Sequence, residues 1–96
     1  MAQVEIFLNR GMTLYEGRLA NFNRIAFEYE SKHTEPKEAL AEAYRVVNYP
    51  NFELNDEEAQ IQEEYLASNV ELLDIGDIIA VNDMPWVYTV SGMKKL

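Results

Sequence analysis

Six carboxylates, Glu53, Asp56, Glu57, Glu58, Glu63 and Glu64, fall in one short stretch with no lysine or arginine among them. Such a cluster can bind a cation, run acid–base chemistry or present negative charge to a partner. A calcium loop needs alternating oxygen ligands around a central glycine. Here Asp56-Glu57-Glu58 runs into Ala59-Gln60, so no dedicated metal site is expected. Paired-carboxylate hydrolysis needs two carboxyls fixed across a cleft, and nothing in a short chain singles out one pair. The spacing favours presentation of charge: Asp56 and Glu63, and likewise Glu57 and Glu64, stand seven apart and stack on one helical face about two turns from each other.

The remaining reactive groups point away from catalysis. The chain has one histidine and no cysteine, which removes thiolate metal sites and disulfides. His33 precedes a helix start and reads as a solvated or capping residue. The serines and threonines show no nucleophile-elbow spacing. Gly11, Gly17, Gly76 and Gly92 stand isolated at element ends, so there is no phosphate-cradling loop. The expectation is a protein that is not an enzyme and carries neither cofactor nor metal.

Charge is segregated along the 96 residues. Of the net −9, residues 1–33 contribute nothing, residues 34–77 hold twelve acids against Lys37 and Arg45, and the remainder sets Asp83 against Lys94 and Lys95. A surface of that sign repels phosphate and anionic lipid, which disfavours direct nucleic-acid or membrane binding and leaves a basic protein as partner. No basic leader or bilayer-length apolar run is present. Together with the absence of cysteine, this sets the expectation of a cytoplasmic protein.

The elements that must position the carboxylates are expected in one domain, residues 1–96, of α+β class: a small antiparallel sheet of about four strands with one main helix on one face and a second, short acidic helix. Residues 3–8 and 24–30 alternate apolar and polar in strand period, and Met12–Gly17 between them reads as loop. His33-Thr34-Glu35-Pro36 opens the main helix, 36–48, where Thr34 or Glu35 can cap and Pro36 suits the first turn. Its expected buried stripe is Ala39, Leu40, Ala43, Tyr44, Val46 and Val47, with Glu38, Glu42 and Arg45 facing water. Asn48 and Pro50 stop it. Asn55-Asp56 offers a cap to the acidic helix Glu57–Ala67, anchored by Ile61, Tyr65 and Leu66. Gly76-Asp77 then leads into strands 77–82 and 86–90, joined by a turn at Asn82-Asp83-Met84-Pro85. Phe7, Phe27, Tyr29, Tyr44 and Tyr88 are assigned to packing, and Trp86, just after Pro85, either covers the sheet end or anchors an interface.

Glu38–Asn48, Leu73-Asp74-Ile75-Gly76-Asp77-Ile78-Ile79-Ala80-Val81, Trp86-Val87-Tyr88 and Val90–Leu96 together resemble the YodL-like group of small phage and plasmid proteins. In that group a helix ending in Asn is followed by a Gly-Asp strand start, a valine-rich strand, an aromatic strand and a closing Gly…Leu. The group's Asn-Arg-Ser-Leu-Ser portion is degraded here to Asn69–Asp74. The resemblance implies a mobile-element origin and action in a host bacterial cell, with no catalytic residues to carry over. The expected working surface is Glu53, Asp56, Glu57, Glu58, Glu63 and Glu64, with Glu38, Glu42 and Trp86, occupying a host nucleic-acid-binding protein as a partial phosphate mimic. The alternative expectation is a homodimer built through edge strand 86–90 or 3–8.

Overall fold

The computed structural model describes residues 1–8, 25–69 and 72–96, together with the backbone of two short strands, Leu14–Tyr15 and Arg18–Leu19. Strand β1, Ala2–Phe7, buries Ala2, Val4 and Ile6 in strict alternation. Strands β2, Leu14–Tyr15, and β3, Arg18–Leu19, pair antiparallel with each other, so the expected loop Met12–Gly17 contains a strand. β4, Phe27–Ser31, runs antiparallel to β1 with Tyr29 opposite Val4. It starts three residues later than the pattern suggests: Ala26 donates its N–H to the Ile6 carbonyl (2.8 Å) but its own carbonyl accepts from Asn69 Nδ2 (3.1 Å), and Arg24 lies outside the described residues.

Helix α1 spans Pro36–Asn48, as its punctuation predicts. Pro36 occupies the first turn, where its missing N–H costs nothing. Glu35 is the N-cap residue but makes no side-chain cap bond. At the other end Asn48 is the last helical residue. Tyr49, at φ −85° and ψ 147°, is extended, the conformation that the following Pro50 imposes on its neighbour. After a single 3-10 turn, Asn51–Glu53, helix α2 runs Asp56–Leu66.

The C-terminal part is a three-stranded meander: β5 (Ile78–Val81), β6 (Met84–Thr89) and β7 (Gly92–Lys95). The β5–β6 turn is shorter than the four residues expected. Asn82 (φ 50°) and Asp83 (φ 68°) are both left-handed, the conformation of a two-residue type I′ hairpin loop, and Asn and Asp bear it at lower cost than other side chains. Met84 and Pro85 therefore belong to the strand. Pro85 lacks an N–H, but its carbonyl accepts from Leu96 (3.0 Å).

The main sheet has five antiparallel strands in the order β4-β1-β5-β6-β7, which makes the fold α+β. β7 is one strand more than expected. It places 86–90 in the interior, between β5 and β7, while 3–8 lies between β4 and β5. Neither segment is a free edge, so the expected dimer edges are corrected: among the described residues the sheet ends on β4 and β7. Helix α1 lies over β1 and β5, burying Ala39, Leu40, Ala43 and Val47 against Val4, Ile6, Ile79 and Val81. Helix α2 packs on α1 at the β4 side, where Tyr65 meets Phe27 edge-to-face at 5.5 Å.

Candidate partner-binding face

The acidic stretch folds as a helix because its first turn is closed by its own side chains. Asn55 Oδ1 accepts from the Glu58 N–H (2.8 Å), and Glu58 Oε1 accepts in return from the Asn55 N–H (3.4 Å). This capping box satisfies two donors that a helix start leaves open. Asp56, Glu57 and Glu58 also sit where the helix dipole favours negative charge.

The inward line of α2 is polar as well as apolar. Glu58 is 5% exposed, and its Oε2 accepts from Arg45 Nη2 at 2.6 Å and Nε at 3.1 Å. Its carboxylate holds the Arg45 guanidinium above its ordinary pKa, chiefly through this hydrogen bond. One turn on, the Gln62 amide donates to the carbonyls of Val46 (2.9 Å) and Tyr49 (2.7 Å), while its oxygen accepts from Asn51 Nδ2 (3.0 Å). These bonds satisfy carbonyls that the end of α1 would otherwise leave open. Tyr65 is fully buried. The anchors of α2 are therefore Glu58, Gln62 and Tyr65. Ile61 is half-buried and Leu66 is exposed, because helix-to-helix docking here uses hydrogen bonds that apolar periodicity does not register.

Two of the expected surface acids are thus withdrawn. Glu58 is the first. Glu42 is the second: instead of facing water it is 2% exposed. Its Oε1 accepts from the Tyr29 hydroxyl (2.9 Å), and its Oε2 stands 3.4 Å from His33 Nε2. Burial, then the charge of Glu42 and the hydrogen bond to it, push the Tyr29 phenol well above its ordinary 10.0. His33 is not simply solvated, since its Nδ1 also lies 3.4 Å from Glu38 Oε2. Trp86 is withdrawn for a different reason. It lies on the helix-facing side of β6 opposite Ile79, partly buried, with Nε1 buried and unbonded. Three strand spacings of about 4.8 Å each separate β6 from β4, beside which α2 sits.

What remains outward is Glu53, Asp56, Glu57, Glu63 and Glu64, with Glu38 on the neighbouring helix, all exposed. Glu57 is met by Lys32 Nζ (2.6 Å), a surface pair that raises the lysine pKa through the hydrogen bond. Glu63 and Glu64 have no cationic partner among the described residues, and no base occupies the last turn of α2. Sequence reasoning missed Tyr29, Lys32, Arg45 and Gln62. One signal for Glu58 was present: Asn55 and Glu58, three apart ahead of a helix, fit the capping-box spacing.

No protein-family model matches the sequence, and no curated protein or solved structure matches it either. Among the described residues no helix is long and apolar enough to cross a membrane, and no group of histidines, aspartates and glutamates is arranged to hold a metal ion.

Proposed function

We propose that this protein is a non-enzymatic accessory protein of a phage or plasmid, acting in the host cytoplasm. Its α2 face engages a basic surface on a host nucleic-acid-binding protein of defence or replication. One observation carries the reading. Glu63 and Glu64 sit exposed, with no cationic partner among the described residues, in the C-terminal half of α2, where the helix dipole disfavours acids by roughly 0.3–1 kcal/mol each. Folding gains nothing from carboxylates there, and a cation-binding surface does. Backed by Arg45 and Gln62, the outward acids are held on a fixed scaffold. Asp56 to Glu63 spans about 10 Å at 1.5 Å per residue, close to three 3.4 Å steps of a DNA strand. A basic groove built for phosphates would accept that repeat.

The test is binding to a panel of purified bacterial nucleases and replication proteins at increasing salt, with duplex DNA as competitor. Affinity should fall as ionic strength rises, DNA should compete, and Glu63→Lys with Glu64→Lys should weaken binding at least tenfold. Salt-independent binding would refute the electrostatic reading.

A further inference from the structure

Both helices lie toward one end of the sheet. α1 covers β1 and β5, and α2 packs against α1 on the β4 side, so among the described elements α1 only borders the inner face of β6 and β7. A groove of about 410 Å³ opens there between α1 and the β6–β7 hairpin. Its walls are Leu40, Tyr44 and Tyr49 on one side and Tyr88 and Met93 on the other, with Lys37 at the rim. The aromatic rings form a continuous surface: Tyr44 lies 5.8 Å from Tyr88 and 6.4 Å from Tyr49. The Tyr88 side chain beside it raises the Tyr44 phenol above its ordinary pKa.

The charge of the groove is opposite to that of the chain. The two charged residues lining it, Lys37 and Arg45, are both cations in a protein of net charge −9. Arg45 is engaged by Glu58, whereas Lys37 has no carboxylate partner among the described residues. The volume falls within the roughly 300–1,000 Å³ typical of small-ligand clefts, and aromatic walls with a few polar groups are the usual lining. Rings stack on such walls, and a lone ammonium at the rim selects an anion. We infer that the groove binds a small planar anion of one or two aromatic rings bearing a carboxylate or phosphate. The rings would lie against Tyr44, Tyr88 and Met93, with the anionic group toward Lys37.

The probes are naphthoate and its neutral counterpart naphthylmethanol, titrated into the full chain and followed by amide chemical shifts. Shifts should centre on Tyr44, Tyr88, Gly92 and Met93, and naphthoate should bind roughly fivefold more tightly than the alcohol at low salt. Lys37→Glu should remove that preference and leave the alcohol unaffected. Tyr88→Ala should weaken both probes. Should that variant fail to fold, Tyr88→Phe keeps the ring and should retain alcohol binding. Equal affinity for acid and alcohol, or shifts scattered outside the groove, would overturn the inference. So would a dimer that dissociates on dilution and moves these same amides, because the groove would then belong to a second copy.

Discussion

The inward and outward lines of α2 share a composition and differ in task. Glu58 and Glu63 are the same residue on the same helix. Glu58 closes a capping box and holds Arg45 of the neighbouring helix, while Glu63 has no cationic partner among the described residues. The first is needed for the helix to exist and dock; the second is tolerated by the fold. A count of acids therefore overstates the surface available to a partner. It also understates the order behind that surface, because the withdrawn carboxylates are what fix α2 in place. Glu42 repeats the lesson on α1, where a carboxylate expected to face water is turned inward to Tyr29 and His33.

Substitutions along the two lines should separate them. Glu58→Ala should cost the most, about 2–3 kcal/mol by urea denaturation. It loses the reciprocal 3.4 Å half of the capping box, while the Asn55 side chain still caps the backbone N–H of residue 58. The larger part is the charged hydrogen bonds to Arg45, about 1.5–3 kcal/mol, a loss smaller than for a fully buried pair because the Arg45 side chain is 35% exposed. A change below about 0.5 kcal/mol would place Glu58 with the outward set. Tyr29→Phe should cost about 2 kcal/mol, since the buried Glu42 carboxylate loses a charged hydrogen bond.

The same tyrosine sets a pH dependence. Its folded pKa is raised, so its contribution is fully present below 10.0 and is lost as pH climbs above that value toward the folded pKa. The alkaline fall in stability should therefore be shallower in Tyr29→Phe than in the native protein, and identical slopes would contradict the burial of that hydroxyl. Glu63→Lys with Glu64→Lys should have the smallest effect on folding, raising stability by a few tenths to about 1 kcal/mol by placing cations at the helix C-terminus. A loss of stability would mean that the outward acids serve the fold.

The local chemistry of α1 was legible. Pro36 at its start, Pro50 beyond its end and apolar residues three and four apart fix both its length and its buried side. The paired strands were legible for the same reason, since Val4-Glu5-Ile6 and Ile78–Val81 declare themselves by period and branching. β7 was not, because Gly92-Met93-Lys94-Lys95 has no strand alternation and is a strand only by pairing with β6. The turn was overextended because Pro85 reads as a breaker until an interior position uses only its carbonyl. The candidate site failed in a single physical respect. Whether Glu42 and Glu58 face water depends on Tyr29 and Arg45, each thirteen residues away in sequence, and no helical period carries that information.

The chemistry of the edges bears on self-association. β4 exposes Glu28 and Glu30, and β7 exposes Lys94 and Lys95, charges that discourage an edge from pairing with its own kind. Sedimentation at micromolar concentration should find a monomer, and a stable dimer would favour assembly through the sheet over capture by the acidic helix.

The division between the two lines of α2 meets its most direct test in the salt dependence of binding to a DNA-binding host protein, measured for the native chain and for Glu63→Lys with Glu64→Lys. The account predicts that the native slope of log affinity against log salt is steep and becomes markedly shallower in the variant, with folding intact. Equal slopes for two folded proteins would contradict it, and would return Glu63 and Glu64 to the status of solvated surface.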